Sequence, residues 1–360
     1  MRIGINAALL GQGGSYRQTG VSRYIGELVG GLHTVLDAGD RLVLLGRRPR
    51  AIHERPAVRI VWEQTVLPLA VAAQRLDVVH GPLSVLPLAS RTPGVVTVHD
   101  LAFLRYPDQV PARRRAWLIV ATRASVRKAA RVIAISQRTA DDLCAWLGLP
   151  ADRVEVIPLA PSSRIVPVSG AALEVFRMKA GIDRPYVLAV GTLEPRKNLP
   201  TLLRAFGRIR DEVPHDLVLV GPEGWLTGEI RRTIAELDLG ERLRMTGFVS
   251  DQELGGWYSA ADLFVFPSHY EGFGLPAVEA MRCGAPVLAS NSSCFPEVVG
   301  DAGVLIPPDD IGAWAETMRA LLRDPAARGA LGARGRERSA AYSWERTAAA
   351  TYRVYREVGR

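Results

Sequence analysis

Cysteine is scarce in this chain of 360 residues: Cys144, Cys283 and Cys294 are all there is. Three thiols cannot all pair within one chain, and none stands at a metal-ligand spacing from another, so neither a disulfide framework nor a cysteine zinc site is expected. Reduced thiols in a cytoplasmic protein fit this usage. No apolar run approaches the roughly 20 residues of a spanning helix. The start, Met1-Arg-Ile-Gly-Ile-Asn6, runs straight into a strand pattern where a leader would show a charged stretch and then an apolar one. Asp-x-Asp occurs nowhere, which removes the usual acidic clamp through which Mg²⁺ or Mn²⁺ holds a diphosphate. Short-period repeats and low-complexity tracts are also missing. The basic residues are mostly Arg with few interleaved aromatics, and no nucleic-acid module appears, so nucleic acid is not an expected partner.

The composition that remains is that of a packed globular protein, 48% hydrophobic and 23% charged. One core rarely grows past roughly 250–300 residues, so the length predicts two domains. The net charge of +8 is unevenly placed: residues 1–165 carry 22 Lys+Arg against 12 Asp+Glu, and the remainder 23 against 25. The first half is therefore the part that would meet an anionic surface or acceptor.

Short β-type runs alternate with helical stretches. In the first half strands are expected at 2–7, 41–45, 58–62, 77–80, 94–99, 131–135 and 154–159, with helices at 21–36 and 112–130. Several of the runs are apolar throughout, as parallel strands covered on both faces are. A Pro- and Ser-rich stretch at 158–170 breaks the pattern and reads as the interdomain linker. A second alternation places strands at 186–190, 216–220, 242–245, 263–266, 286–289 and 303–306, and the chain ends in helical segments. Two doubly wound α/β domains follow, 1–163 and 164–343, with ligands expected at the carboxyl ends of their strands.

Chemistry falls at four strand ends. The segment Ser268-His-Tyr-Glu-Gly-Phe-Gly-Leu-Pro-Ala-Val-Glu279 follows an apolar run and opens a helix, with Pro276 in the first turn, where proline costs no hydrogen bond. It brings Glu271, Glu279 and the amides of Gly272, Phe273, Gly274 and Leu275 to one crevice. Either this is a polyol-binding cradle, or it is a strand-to-helix turn whose Glu merely favours the helix dipole. Gly191-Thr192-Leu-Glu-Pro-Arg196-Lys197-Asn198 follows the strand at 186–190. Its adjacent cations lie where a helix start already favours anions, and Asn198 is expected as N-cap. A planar guanidinium and a point charge together suit a diphosphate. The glycine loop 11–20, ending at Gly20, allows close backbone approach to a ligand, and is equally compatible with a loop that binds nothing. His99, at the end of the strand at 94–99, either touches a substrate hydroxyl or phosphate, or is a buried histidine donating to a backbone carbonyl. Cations for a diphosphate and carboxylates for hydroxyls, on successive strand ends of one domain, describe a nucleotide-sugar site.

These residues resemble a known family. Glu271-x7-Glu279 and Gly-Thr-Leu-Glu-Pro-Arg-Lys-Asn are similar to the two donor-site motifs of the retaining glycosyltransferases of family four. The match extends to Gly247-Phe-Val249, Ala134-Ile-Ser136 and Val98-His-Asp-Leu101, and covers essentially the whole chain. The resemblance implies the GT-B fold: two Rossmann-like domains facing a central cleft, with a C-terminal helix (344–360) crossing back to the first domain. It implies Arg196 and Lys197 on the donor pyrophosphate, Glu279 on the ribose, and Glu271 with the amides of 272–275 on the donor sugar. Val249 would lie beside the nucleobase, His99 near the reacting centre, and the loop ending at Gly20 over the phosphates and acceptor. No cofactor and no metal are implied, and retention of configuration is. Val-His-Asp-Leu and Thr-Gly-Val-Ser-Arg-Tyr further resemble bacterial mannosyltransferases and rhamnosyltransferases of surface-polysaccharide assembly, which makes GDP-mannose the expected donor, with UDP- or dTDP-sugars as the alternative, and a saccharide or lipid-linked acceptor.

Competing readings are a phosphorylase or epimerase of the same fold, and a degenerate glycosyltransferase that only binds a partner. No lysine here has the surroundings of a phosphorylase's pyridoxal phosphate lysine. On the helix at 112–130, Leu118, Ile119, Val126 and Ala129 share one face, and Arg113, Arg114, Arg123, Arg127 and Lys128 spread over the other with Trp117 and Val120 among them. Such a face either rests on anionic headgroups or is solvated, with Trp117 packed on a neighbouring loop. The charge of the first half favours a peripheral place at the cytoplasmic face of the inner membrane.

Overall fold

The computed structural model describes residues 1–10, 20–46 and 56–359. The chain forms two units, one of Met1–Leu159 with Ser343–Arg360 and one of Ala160–Tyr342. Each is built on a six-stranded sheet in which every strand pair is parallel.

The first unit contains β1 (Arg2–Asn6), β2 (Arg41–Leu45), β3 (Val78–Gly81), β4 (Gly94–Val98), β5 (Arg131–Ala134) and β6 (Val154–Val156), in the order β2-β1-β3-β4-β5-β6. The expected strand at 58–62 is instead part of a helix, Pro56–Ala73. A short apolar run does not by itself distinguish a strand from a buried helix segment. Here Pro56 stands at the first helical position, where proline is favoured, and the buried residues Glu63, Leu67 and Val71 recur every four, facing the sheet. Val61 and Leu69 lie on the other side, exposed. The last helix, Trp344–Val358, packs on the helix Gly20–Val35 and completes this unit. Its register is fixed by a buried polar chain: Tyr355 Oη lies 2.6 Å from His80 Nδ1, His80 Nε2 2.8 Å from Thr97 Oγ1, and Tyr24 Oη 3.0 Å from that same oxygen.

The second unit contains β7 (Tyr186–Val190), β8 (Asp216–Val220), β9 (Leu243–Gly247), β10 (Leu263–Phe266), β11 (Val287–Ser290) and β12 (Val304–Ile306), in the order β12-β11-β10-β7-β8-β9. Tyr186 and Leu188 enter the core on one side of the sheet, Val187 and Ala189 the core on the other. Burial on both faces is why inner strands such as β7 and β10 read as unbroken apolar runs. The strand order reverses between β7 and β10, and such a reversal opens a crevice at the strands' carboxyl ends. The stretch 158–170 is irregular but not loose, since Ile165 is fully buried.

Candidate active site

The two loops that leave β7 and β10 meet at that reversal. After β7 the chain turns through Gly191, whose φ of +150° is open to glycine, and whose missing Cβ would stand 3.2 Å from Lys197 Cε. A single 3₁₀ turn, Pro195–Lys197, then leads into the helix Leu199–Ile209. After β10 the chain passes Ser268 to Gly274 and enters the helix Leu275–Arg282, with Gly274 left-handed at φ +76°. Backbone and side-chain bonds stitch the loops together. His269 N–H donates to Arg196 C=O at 3.0 Å, and Arg196 Nη1 donates to Tyr270 C=O at 2.6 Å.

The charged residues expected on these loops come into direct contact. Glu271 accepts from Arg196 Nη1 at 2.8 Å and from Lys197 Nζ at 2.6 Å. A residue the motif reading passed over, Glu194, accepts from Arg196 Nη2 at 2.7 Å. Glu194, Lys197 and Glu271 are all buried. Burial alone pushes the Glu271 carboxyl up, but the Arg196 guanidinium and Lys197 ammonium beside it outweigh that and hold it at about 2. Lys197 Nζ also sits 5.0 Å from the centre of the Phe266 ring. Glu194 had no charge pattern of its own to reveal it; its role appears only when Arg196 folds back over it.

Asn198 stands where the N-cap was expected, but makes no side-chain cap bond. Its backbone is left-handed at φ +52°, which turns the amide group away from the helix. Nδ2 donates instead to Pro308 C=O at 2.8 Å and Pro267 C=O at 3.3 Å, tying the helix start to the end of β10.

The amides of Gly272, Phe273, Gly274 and Leu275 meet no acceptor among the described residues. Such a row of N–H groups at a helix start can donate to an anion or a hydroxyl. Ser293 fixes the loop beneath it, its Oγ accepting Glu271 N–H at 3.0 Å and donating to Glu271 C=O at 2.6 Å. Glu279 is one helical turn further on, buried, and accepts from Tyr258 Oη at 3.0 Å. Thr192 follows Gly191 and lines a small hollow with Lys197, Phe266 and Pro267. Val249 is half-buried just beyond β9.

His99 and Gly20 belong to the first unit. His99 Nε2 lies 2.9 Å from Pro82 C=O, a group that only accepts, so Nε2 carries the proton and Nδ1 is the acceptor. Its imidazole is packed edge-on against Tyr24, with ring centres 4.8 Å apart. Burial holds its pKa down, opposed by the Pro82 contact and the Asp100 charge. Of the two readings open to His99, donation to a backbone carbonyl is what Nε2 does. Gly20 begins the helix Gly20–Val35; the rest of the glycine loop, 11–19, lies outside the described residues.

The chain is similar to known proteins over most of its length. The model of glycosyl transferases group 1 matches residues 174–338, and that of glycosyltransferase family 4 matches 19–160. The O-antigen chain mannosyltransferase B of Escherichia coli is 34% identical over 327 residues, which is 88% of this chain and 83% of that protein. The chain belongs to the family 4 glycosyltransferases. The glycosyltransferase is also 30% identical over 280 residues to the MMP alpha-(1->4)-mannosyltransferase of Mycolicibacterium hassiacum, covering 74% of this chain and 66% of that one. Among solved structures, sucrose-phosphate synthase from Thermosynechococcus elongatus superimposes with a TM-score of 0.79 at 24% identity, over 99% of this chain and 98% of that one. Anabaena HepE in complex with UDP-glucose does so with a TM-score of 0.76 at 19% identity, over 99% of this chain and all of that one. The fold is the two-domain GT-B fold.

Proposed function

We propose that this glycosyltransferase moves a hexose, mannose from GDP-mannose in the first instance, to a glycan or lipid-linked saccharide, with retention of configuration and without a metal ion. The observation that carries this is the adjacent pair of half-buried Arg196 and buried Lys197 at the strand-order reversal, next to a row of backbone N–H groups. Arg196 and Lys197 hold the donor diphosphate and stabilise the charge it gathers as it leaves. In a chain without Asp-x-Asp, these two cations take the place of the metal clamp. The amides of 272–275 and Glu271 hold the sugar, Glu279 the ribose, and Val249 lies against the base. Thr192 and Gly191 border the phosphates. His99 of the first unit, neutral and with Nδ1 as acceptor, is suited to take a hydrogen bond from a sugar hydroxyl.

Retention follows from attack on the face from which the leaving group departs. The bond from the anomeric carbon to the diphosphate oxygen breaks, the bond to the acceptor oxygen forms, and the acceptor's proton passes to a donor phosphate oxygen. Glu271 is assigned to the sugar hydroxyls and not to the anomeric carbon, so a covalent glycosyl–enzyme is not proposed. Mannose is supported by the mannosyltransferases among the relatives; UDP- and dTDP-sugars are the alternative donors. A peripheral place on the cytoplasmic face of the inner membrane is supported by the exposed arginines of the helix Ala112–Lys128. No helix among the described residues is long and apolar enough to cross a membrane.

The test is transfer from GDP-mannose, UDP-glucose, dTDP-rhamnose and ADP-glucose to a saccharide acceptor, by the wild type and by the Arg196→Ala, Lys197→Ala double variant. Turnover in the folded double variant is expected to fall at least about a thousandfold, from the loss of two charged donors to the leaving group. Near-normal turnover sinks the assignment, as does failure of the wild type to use any sugar nucleotide, which would favour a degenerate binding protein. Proton NMR of the product and a parallel reaction in EDTA read the anomer and the metal requirement. An inverted linkage or a reaction abolished by EDTA contradicts the mechanism.

A further inference from the structure

Glu194, Arg196, Glu271 and Lys197 form one chain of alternating charge, with contacts of 2.7, 2.8 and 2.6 Å. Two carboxylates cancel two cations, so the cluster carries no net charge. A diphosphate brings two or more negative charges to the same groups. Arg196 Nη1 already serves both Tyr270 C=O and Glu271, and Nη2 serves Glu194. Lys197 Nζ is packed between Glu271 and the Phe266 ring. Phosphate oxygens therefore compete with Glu271 for the N–H groups of these two side chains.

Little of the surrounding backbone is free to yield in that competition. Ser293 Oγ clamps both the N–H and the C=O of Glu271, and the main chains of His269 and Arg196 are bonded to each other. The element left to move is the Glu271 side chain itself. Resting on the diphosphate reading of this site, we propose that Glu271 is an exchangeable internal counter-ion, yielding Lys197 and Arg196 to the donor diphosphate and reclaiming them to expel the nucleoside diphosphate. Exchange couples two events. The carboxylate becomes available to sugar hydroxyls only once the diphosphate has taken its cations. After transfer, its return gives the departing nucleotide a competitor that is tethered in place. Glu194 acts on the same balance from the far side of Arg196, without reaching Lys197.

A counter-ion of this kind makes an unusual demand: deleting its charge must strengthen nucleotide binding. Isothermal titration calorimetry with UDP, GDP, dTDP and ADP on the wild type, Glu271→Gln and Glu194→Gln reads it directly. The nucleotide that binds the wild type is expected to bind Glu271→Gln about tenfold tighter or more, from the removal of one close like charge. Stopped-flow dissociation should be slower by a similar factor. Glu194→Gln, which relieves only Arg196, is expected to tighten binding by a smaller factor, and it keeps the test open should Glu271→Gln fail to fold. Unchanged or weaker binding in the folded variants overturns the proposal. A wild type that binds none of the four nucleotides overturns the diphosphate reading beneath it, a result distinct from a bound nucleotide whose affinity ignores both carboxylates.

Discussion

Lys197 is one of three lysines in the chain, beside Lys128 and Lys179, against 45 Lys+Arg in all. A compact ammonium fits between the Glu271 carboxylate and the Phe266 ring, where the wider fork of an arginine would not. The pairing with Glu271 also has a pH signature. Glu271 titrates at about 2 in the folded protein, against 4.5 for a free side chain. Between those values the unfolded chain binds the extra proton, so the contribution is complete above about pH 4.5 and is lost as the pH falls towards 2. The stability advantage of the wild type over Glu271→Gln is therefore expected to hold near up to about 3 kcal/mol at pH 6 and to shrink steadily below 4.5. Urea unfolding at steps from pH 6 to pH 3 measures it; an advantage that stays constant or grows into acid would contradict the pairing. Arg196, Lys197 and Glu271 were legible because two cations or a carboxylate between glycines stand out at a strand end. Glu194 and Ser293 were not. Ser293 works on Glu271, 22 residues before it, and Glu194 meets Arg196 only through a turn that the fold brings about, so their own neighbours in sequence carry no mark of it.

Among the elements, the inner strands β7 and β10 of the second unit were readable because both faces of the sheet are covered there, which leaves apolar runs without interruption, whereas the edge strand β9 carries Arg244 and Thr246 and exposes Met245. The helix Pro56–Ala73 defeated the same logic. Its mean character is apolar, its buried face includes the polar Glu63, and Val61 and Leu69 lie in the open. Glu63 accepts from Asn6 Nδ2 at 3.0 Å, so a buried acid holds the helix to the end of β1 where a hydrophobic side chain was to be looked for. The helix Ala112–Lys128 came closer to expectation. Leu118 and Ile119 pack with the core residues Val126 and Ala129, Arg113, Arg114, Arg123 and Arg127 are exposed, Trp117 is half-buried and Val120 is 64% exposed. Lys128 is engaged by Ser90 C=O at 2.7 Å. Four arginines around one bare valine suit an anionic bilayer, at roughly 1 kcal/mol per residue near the surface. Co-sedimentation is expected with phosphatidylglycerol vesicles, weak with neutral ones, and diminished both by salt and by Arg113→Glu, Arg114→Glu. Equal binding to the two kinds of vesicle, indifferent to salt, would remove this helix as a membrane contact.

At the scale of the whole molecule, doubly wound sheets were legible from the alternation of runs, whereas strand order was not, since nothing local to a strand names its neighbour. The last helix shows what that order entails. Tyr352, Val354 and Tyr355 are buried within the first unit, and burial of side chains this size stabilises by roughly 1.5–3 kcal/mol each. Residues 160–342 are expected to fold as a separate fragment, while 1–159 alone is expected to lack a cooperative unfolding transition until residues 343–360 are restored to it. Calorimetry and amide NMR dispersion of the three fragments decide this, and a well-folded 1–159 would refute it.

The same discontinuity has a consequence in time. During synthesis the six strands of the first sheet leave the ribosome before the second unit does, yet Tyr355 is made 275 residues after its partner His80. At about 5–20 residues per second, the first unit waits roughly 10 to 40 seconds while the second is translated. For that interval the surface that Tyr352, Val354 and Tyr355 cover in the folded unit is left bare. A ribosome that stops before codon 343 therefore releases a protein whose second unit is finished and whose first is not.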